Sequence, residues 1–226
     1  MTNLEAVSQK KKQLTCRAVL FDMDGVLLNS KAAVERQWTK WMLRHGLAMA
    51  SVAHGVRIIE TIRKIAPHLD AEKEAIAVEQ AEMQDTDGLV ALPGAKELLD
   101  ALPANRWTIV TSATRPLAEM RLKFVGLKVP PLMVAAEDVK HGKPHPEPYL
   151  MGAAKLGVAP EDCIVVEDAP VGIRAAKGAN MQVLGLVTTH MREQVAEANP
   201  DAIVGNLADV TIHVDGDKIV FSLGSK

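Results

Sequence analysis

Two aspartates separated by one residue, Asp22 and Asp24, directly follow the short apolar run Ala18–Phe21. Such a run is typical of a buried strand in a parallel sheet, which would place both carboxylates at the end of that strand. Because side chains alternate along a strand, the two carboxylates would point the same way and repel each other unless a cation or proton lies between them. A divalent metal would leave Asp22 a free nucleophile and Asp24 a proton carrier. The alternative at this point is a plain Asp-Gly turn at Gly25.

Two later segments could place phosphate-binding groups after other strand-like runs. Thr111 and Ser112 offer hydroxyl donors for a phosphate oxygen, although capping of the next helix would use the same kind of residue. Lys143 lies between Gly142 and Pro144 in a proline-rich stretch. That stiff segment could aim the ammonium group inward at low entropic cost, and the alternative is a lysine in a solvated loop.

Glu167 and Asp168 form a second acidic pair, directly after the apolar run Ile164–Val166. Carboxylates at the end of a core strand rarely serve packing, which favours a metal-binding or catalytic role. Ligands of an open parallel sheet gather at the carboxyl ends of its strands, so we expect the polar groups described above to meet there. Oxygen-only ligands favour a hard cation, and Mg²⁺ leaves room for a phosphate oxygen.

The composition is that of an ordinary globular protein, with 226 residues, 48% hydrophobic and 24% charged, and a formal net charge of −2. This near-neutral charge argues against nucleic acid as the main partner. No apolar window approaches the ~20 residues of a membrane span, and no N-terminal stretch has the apolar run of a signal peptide. Cys16 and Cys163 begin apolar runs, so we expect buried, reduced thiols in a cytoplasmic protein. We expect a monomer, because no exposed apolar stripe is left unassigned.

Strand-like runs alternate with amphipathic segments of helical length, the order expected of βαβ units around a parallel sheet. These runs are Ala18–Phe21, Thr108–Thr111, Leu132–Val134, Ile164–Val166 and Val183–Val187, and the tail Val210–Leu223 predicts a β-hairpin. Between the first two runs lie successive helical patterns, which are too long for a crossover and too organised for a loop. We therefore predict a core formed by residues 14–29 and 93–226, with an α-helical cap at residues 30–92.

The four motifs, in this order and spacing, resemble the phosphatase branch of the haloacid dehalogenase superfamily over nearly the whole chain. The motifs are Asp22-Met23-Asp24-Gly25-Val26, Thr111-Ser112, Gly142-Lys143-Pro144 and Glu167-Asp168-Ala169-Pro170-Val171-Gly172. The resemblance implies an α/β fold: a Rossmann-like parallel sheet with helices on both faces and an inserted α-helical cap. Residues 54–57, 111–115 and 142–150 are similar to those of small sugar-, hexitol- and glycerol-phosphate phosphatases, including those acting on 2-deoxyglucose 6-phosphate.

The resemblance also implies roles for individual residues. Asp22 would attack phosphorus and form an aspartyl-phosphate, and Asp24 would protonate the leaving alcohol and then activate water. Mg²⁺ would be held by Asp22, the backbone carbonyl of Asp24 and Asp168, with Glu167 as a further ligand directly or through water. One departure from the family pattern is Asn29, where relatives commonly have Asp; it puts a contact at the hinge of the cap in doubt.

The remaining roles concern the phosphate and the substrate. Ser112, Ala113 and Lys143 would bind the phosphoryl oxygens of a small phosphorylated metabolite. Arg57, with His54 nearby, is the first candidate for a substrate contact from the cap, because a cap that closes over the site should select the leaving group. The alternative is that Arg57 is an exposed helix residue and that His54 merely ends a cap segment.

Three classes of function fit these motifs. The first is a Mg²⁺-dependent phosphatase for a small phosphorylated sugar or polyol. The second is a hexose phosphomutase resembling β-phosphoglucomutase, but such relatives carry a histidine shortly after the first motif, and residues 30–36 contain none. The third is a non-catalytic binding protein, which the intact motifs disfavour. A dehalogenase is disfavoured as well, because a halide needs no proton from Asp24.

Overall fold

The computed structural model describes residues 12–49 and 54–224, so positions 50–53 of the predicted cap and the last two residues of the predicted core lie outside it. The strands are β1 (Gln13–Cys16), β2 (Ala18–Phe21), β3 (Leu28–Asn29), β4 (Val90–Ala91), β5 (Trp107–Ile109), β6 (Cys163–Glu167), β7 (Gln182–Leu186), β8 (Ala202–Val204), β9 (Val210–Asp215) and β10 (Lys218–Leu223). The α-helices are α1 (Lys31–Arg44), α2 (Ile58–Ile65), α3 (Ala71–Gln84), α4 (Ala95–Ala101), α5 (Arg115–Phe124), α6 (Glu147–Leu156), α7 (Pro170–Gly178) and α8 (Arg192–Glu197).

Five parallel strands form the main sheet, in the order β5-β2-β6-β7-β8. In the register of this sheet, Phe21 of β2 lies between Ile109 of β5 and Val166 of β6. Alternate residues of β2 enter two separate apolar cores: Val19 and Phe21 pack into one, and Leu20 packs into the other. Both faces of β2 are therefore covered, which is why an uninterrupted apolar run marks this strand in the sequence. The predicted α/β fold with a parallel sheet is confirmed.

The prediction of a strand at Leu132–Val134 is wrong. Only Val134 reaches the sheet, in an isolated bridge to Val110 beyond the end of β5. The two prolines directly before this run have no N–H to donate, and the chain turns into a short 3₁₀ segment at Ala136–Asp138 directly after it. The fifth strand of the sheet is instead β8, which is only three residues long and was not predicted.

The C-terminal hairpin is confirmed and forms a second, antiparallel sheet. β9 and β10 pair from Val210↔Leu223 to Asp215↔Lys218, and β1 adds to the outer edge of β10. The turn passes through Gly216, whose φ of 53° lies in the left-handed region that favours glycine. Cys16 and Cys163 are free, buried thiols as expected, and burial raises the pKa of each to about 12.

Helices α1, α2 and α3 follow one another between β3 and β4 and share an apolar core of their own. This core consists of Trp38, Trp41, Met42, Ile62, Ala66, Ala71 and Val78. The chain leaves and re-enters the rest of the molecule through β3 and β4, where Asn29 pairs with Val90. We propose this short antiparallel pair as the boundary between the helical insertion and the sheet. No helix in the described residues is both long and apolar enough to cross a membrane.

Candidate active site

An acidic cluster, formed by Asp22, Glu167, Asp168 and their partner Lys143, lies at the carboxyl ends of β2 and β6. Asp22 directly follows β2 and donates its backbone N–H to Val166 O (3.0 Å), so its side chain is held beside the end of the neighbouring strand. One oxygen from each of the three carboxylates lies within 4.8 Å of the other two, and all three residues are buried. Because β2 and β6 are neighbours in the parallel sheet, their carboxyl ends bring these separate sequence motifs together.

Lys143 neutralises part of this cluster from the loop before α6. Its Nζ lies 2.6 Å from Asp22 Oδ1 and 2.7 Å from Glu167 Oε1, and its side chain is 1% exposed. The same ammonium group lies 5.1 Å from the ring centroid of Tyr149. The loop is fixed from the next helix, where the Glu147 carboxylate accepts two backbone N–H groups, at 2.7 and 3.0 Å. Lys143 is therefore a buried, aimed cation and not the solvated loop lysine of the alternative reading.

Glu167 is the most fully hydrogen-bonded carboxylate of the acidic cluster. Its Oε1 accepts from Lys143 and from the Tyr149 hydroxyl (2.9 Å), and its Oε2 accepts from the backbone N–H groups of Asp168 and Ala169 (both 2.9 Å). Gly172 on the first turn of α7 makes room for this carboxylate, because a Cβ there would lie 1.6 Å from Oε1. Glu167 thus anchors the lysine and the turn into α7.

Asp168 is the least satisfied member of the acidic cluster. Its Oδ2 accepts a hydrogen bond from the Thr189 hydroxyl, but its buried Oδ1 has no hydrogen-bond donor among the described residues. Gly25 lies directly against it, since a Cβ at that position would be 2.3 Å from Oδ2. An orphaned carboxylate oxygen that faces two other carboxylates is the donor set expected of a divalent-metal site. The acidic cluster therefore fits a divalent cation.

The electrostatics of the acidic cluster agree with that fit. Burial raises the pKa of Asp22 to about 7, although the nearby Lys143 ammonium opposes the shift. Burial, with the charges of Glu167 and Asp22, raises the pKa of Asp168 well above its usual range. Burial alone would lower the pKa of Lys143, but the Asp22 and Glu167 carboxylates outweigh it and the pKa is raised. A bound cation would shift both aspartates towards their ionised forms.

A second group, the Asp24 cluster, consists of Asp24, Ser30, Arg121 and Glu82. Asp24 Oδ1 accepts from the Ser30 hydroxyl at 2.5 Å and from Arg121 Nη1 at 3.0 Å. Arg121 Nη2 in turn donates to Glu82 Oε2 at 2.8 Å. Both side chains of this ion pair are nearly inaccessible, at 5% and 3% exposure.

Sequence reasoning missed Arg121 and Glu82, although each has a visible signal. Arg121 shares the buried face of α5 with Leu117, Ala118 and Leu122, and Glu82 follows Val78 by one helical turn on the buried face of α3. A charged residue in a buried helical stripe needs a partner, so such positions mark ion pairs between elements.

A pocket reaches the acidic cluster at Asp22, is lined by all four residues of the Asp24 cluster and contains several of the predicted site residues. Its polar lining residues are Asp22, Asp24, Ser30, His54, Thr61, Glu82, Thr111, Ser112 and Arg121, and its other lining residues include Trp38, Gly55 and Ala113. The Ser112 hydroxyl donates to the carbonyl of Gly55 at 2.7 Å, which joins the loop after β5 to the segment before α2. Burial lowers the pKa of His54, with a further contribution from Lys31, so the imidazole is neutral near pH 7.

Arg57 does not line this pocket. Its guanidinium group pairs with Glu60 and donates to three backbone carbonyls, Val139 O (3.1 Å), Lys140 O (3.1 Å) and Ala136 O (3.4 Å). The side chain is 15% exposed, so it is not a free surface residue. Arg57 therefore joins the start of α2 to residues 136–140, in the connection between α5 and α6, and it does not contact the pocket beside Asp22.

Comparison with known proteins agrees with this geometry. The family model for haloacid dehalogenase-like hydrolases matches residues 16–180. Hexitol phosphatase A from Escherichia coli is 39% identical over 92% of this chain and 100% of its own length. Glycerol-1-phosphate phosphohydrolase 2 from Saccharomyces cerevisiae is 33% identical over 95% of this chain and 93% of its own. A hydrolase from Pseudomonas syringae has the same fold, with a TM-score of 0.78, 25% identity and coverage of 85% of this chain and 94% of that one. The chain belongs to the haloacid dehalogenase-like hydrolases.

Proposed function

We propose that this hydrolase is a divalent-metal-dependent phosphatase that releases inorganic phosphate from a small phosphorylated sugar or polyol. The observation that carries the proposal is that two neighbouring aspartates, Asp22 and Asp24, have different charged and hydrogen-bonding partners. Both aspartates line the pocket, but Asp22 is paired with a buried lysine, whereas the Asp24 carboxylate is held by Ser30 and Arg121. A nucleophile next to positive charge and a separate proton carrier are what transfer of a phosphoryl group from an alcohol requires.

The proposed reaction has two steps, both carried by these aspartates. A carboxylate oxygen of Asp22 attacks phosphorus, the bond from phosphorus to the ester oxygen breaks, and Asp24 gives that oxygen a proton, so the alcohol leaves. Asp24, now ionised, takes a proton from a water molecule that attacks the aspartyl-phosphate. The bond between phosphorus and the Asp22 oxygen breaks, which releases phosphate and restores both side chains.

A metal ion would be held on the side of the acidic cluster. Asp22, Asp168 and the backbone carbonyl of Asp24 are the proposed ligands, with Glu167 directly or through water. When bound, a divalent cation offsets the negative charge of the phosphoryl group and the carboxylates. We propose Mg²⁺, because all of these donors are oxygen atoms.

The phosphoryl oxygens would be bound by Lys143, the Ser112 hydroxyl and the Ala113 backbone. Lys143 lies 2.6 Å from Asp22 Oδ1, so it is close to any group that Asp22 attacks. Ser112 and Ala113 line the same pocket as Asp22. The positive charge of Lys143 is fixed before the substrate arrives, which stabilises the transferred group. The Ser112 hydroxyl donates to Gly55 O and the Ala113 N–H donates to Thr111 Oγ1, so these two donors would turn to the phosphoryl group when it binds.

The leaving group would be a polyhydroxylated alcohol. Hexitol phosphatase and glycerol-1-phosphate phosphohydrolase, by their names, remove phosphate from polyols. The pocket supports a similar substrate, because Thr61, Glu82, Arg121 and His54 give it a polar wall. Hydroxyl groups of a substrate can form hydrogen bonds with the Thr61 hydroxyl and the neutral His54 imidazole, which an apolar leaving group cannot do. The buried, free thiols fit a reducing compartment such as the cytoplasm.

A phosphate-release panel tests the proposed function. The purified protein with Mg²⁺ is given hexitol, glycerol, pentose, hexose 1- and hexose 6-phosphates, and kcat/KM is compared among them. We expect at least one polyol or sugar phosphate to exceed about 10⁴ M⁻¹s⁻¹. The Asp22→Asn variant, prepared in parallel, controls for contaminating phosphatases. A protein that releases no phosphate from any of them contradicts the proposal. Interconversion of hexose 1- and 6-phosphates with little free phosphate would indicate the mutase instead.

A further inference from the structure

The carboxylate of Asp24 is held by one oxygen only. Ser30 Oγ and Arg121 Nη1 both donate to Oδ1, at 2.5 and 3.0 Å. Oδ2 accepts no hydrogen bond from the residues that the structure describes, and Asp24 lines the pocket with 24% of its side chain exposed. Oδ2 is therefore the oxygen available to exchange a proton with a bound substrate.

Two donors on one oxygen have a physical consequence for the other. The final torsion of an aspartate is broad, so an unrestrained carboxylate turns over a wide range of angles. Donors fixed on Oδ1 from two directions remove that freedom and give Oδ2 one orientation. Proton transfer depends on such alignment, because the proton must reach the reacting atom within hydrogen-bond distance.

Arg121 is itself held from a different part of the chain. It extends from α5, which packs beside the parallel sheet, whereas its second partner, Glu82, extends from α3 in the helical insertion. Arg121 and Glu82 are both buried, so water competes little for either charge, and each depends on the other as its partner. The hold on Asp24 therefore requires that α3 be packed against α5.

We propose that Arg121 is a positioning residue that acts through Asp24, and that Glu82 makes this action depend on the packing of α3. Arg121 holds Oδ1 so that Oδ2 faces the leaving oxygen of the substrate. Glu82 holds the guanidinium group in place, so Asp24 is correctly oriented only while the helical insertion covers the site. The inference rests on the proposed phosphatase function.

Leaving groups of different basicity test the role of Arg121. An alkoxide needs a proton as it leaves, whereas p-nitrophenolate does not, and kcat/KM reports the step in which the alcohol leaves. For Arg121→Met we expect kcat/KM to fall by about 10²-fold with the best alkyl phosphate of the panel above and by less than about 5-fold with p-nitrophenyl phosphate. Arg121→Lys, which keeps a donor, should recover part of the loss. Equal losses with both substrates, or no loss with the alkyl phosphate, would overturn the inference.

Arg36→Met is the matched control. It also removes an arginine from an ion pair with a carboxylate, Asp85 at 2.7 Å, but it touches neither Asp24 nor the pocket. We expect the control to change both kcat/KM values by less than about 2-fold. A control that produced the same selective loss with the alkyl phosphate would mean that any weakening of the helices gives this signature, and the inference would fall.

A double-mutant cycle separates action through Asp24 from an independent effect. In an Asp24→Asn background, Arg121→Met should cause no further loss with the alkyl phosphate, because the group being oriented is no longer an acid. Losses that multiply instead would show that Arg121 acts by itself, which contradicts the inference.

Glu82→Gln tests the positioning role of Arg121 if the Arg121→Met variant does not fold. This change keeps the size of the side chain and an acceptor for Arg121 but removes the charge that holds the guanidinium group. We expect a smaller fall in kcat/KM, about 5- to 10-fold with the alkyl phosphate, and again a much smaller fall with p-nitrophenyl phosphate. An equal loss with both substrates would contradict the inference.

If the wild-type protein released phosphate from neither substrate, the proposed function would fail. Equal losses of kcat/KM with both substrates in an active enzyme would contradict only the role of Arg121.

Discussion

The acidic cluster reaches the pocket through Asp22, whereas all four residues of the Asp24 cluster line it, and the two clusters are built in different ways. The acidic cluster comes entirely from the sheet and its connections, and its carboxylates and lysine are buried. The Asp24 cluster joins the sheet to α5 and to α3 of the helical insertion. The first cluster is complete once the sheet has formed, whereas the second also needs the insertion to be packed in place.

This difference matches two different chemical demands. Attack on phosphorus needs charges that are already fixed, because any reorganisation adds to the barrier. Proton transfer to the leaving group is useful only when a substrate is enclosed and bulk water is excluded. The proposed role of Asp24, a proton carrier whose orientation depends on the enclosing helices, would meet that second demand.

The largest expected effect comes from breaking the acidic cluster at its nucleophile. Asp22→Asn keeps the shape of the side chain but removes the attacking oxyanion, so phosphate release should fall by on the order of 10⁴-fold or more. Alkyl and aryl phosphates should lose alike, since both need the nucleophile. Far-UV circular dichroism should be unchanged. A variant that retained activity would remove Asp22 from its assigned role.

Removal of the metal is the next largest effect and also concerns the acidic cluster. Treatment with EDTA should lower phosphate release by more than about 10²-fold with both kinds of substrate, because the cation offsets charge on the transferred group itself. Added Mg²⁺ should restore activity in the wild type. It should restore less activity in Asp168→Asn, because an amide replaces the carboxylate whose Oδ1 has no hydrogen-bond donor among the described residues. Activity that is indifferent to chelation would contradict the metal site.

Arg57→Ala tests another contact between the insertion and the rest of the molecule. The Arg57 guanidinium group binds the carbonyls of residues 136, 139 and 140, so its loss should loosen the packing of α2. We expect a fall of about 10-fold in kcat/KM that is similar for sugar phosphates and p-nitrophenyl phosphate. A loss confined to the sugar phosphate would instead restore the direct substrate contact predicted from the sequence.

The smallest effect concerns stability within the helical insertion. Hydrogen bonds from Arg36 lower the pKa of Asp85 to about 2, against an ordinary value of 3.8. A carboxyl group whose pKa is lowered by folding stabilises the folded state at any pH above its ordinary pKa. This stabilisation is lost as the pH falls through the pKa of the folded state. Asp85→Asn should therefore cost about 1 kcal/mol at pH 7, and the difference from the wild type should shrink between pH 4 and about 2. Urea unfolding across that range measures it, and a constant difference would contradict the assignment.

The sheet and the acidic cluster could be predicted from the sequence because their determinants are local. An uninterrupted apolar run predicted β2, and the polar residues directly after it and after β6 had to reach the same edge. The helical insertion was visible for a similar reason, since the stripe through Trp38, Trp41 and Met42 has helical spacing. The strand predicted at Leu132–Val134 does not form. Its apolar composition is typical of a strand, but the two prolines directly before it cannot donate hydrogen bonds to a neighbouring strand.

The partners of Asp24 and of Arg57 could not be predicted in this way. Arg57 was expected over the substrate because it begins a helix of the insertion, but its donors are used by backbone carbonyls and by Glu60. Nothing in a linear pattern states which carbonyls a guanidinium group will meet. Arg121 and Glu82 were visible only as charged residues in buried stripes, which indicates that partners exist without naming them.

The sequence by itself predicted the polar groups of the proposed site: two aspartates, a lysine and a second acidic pair, at the carboxyl ends of parallel strands. Those features follow from alternation along strands and from parallel pairing, which act over a few residues and one edge of a sheet. Only the tertiary structure decided how Asp24 is held, because α3 and α5 meet through packing between segments 39 residues apart in the chain. Contacts of that kind depend on how whole helices pack, and local patterns do not encode them.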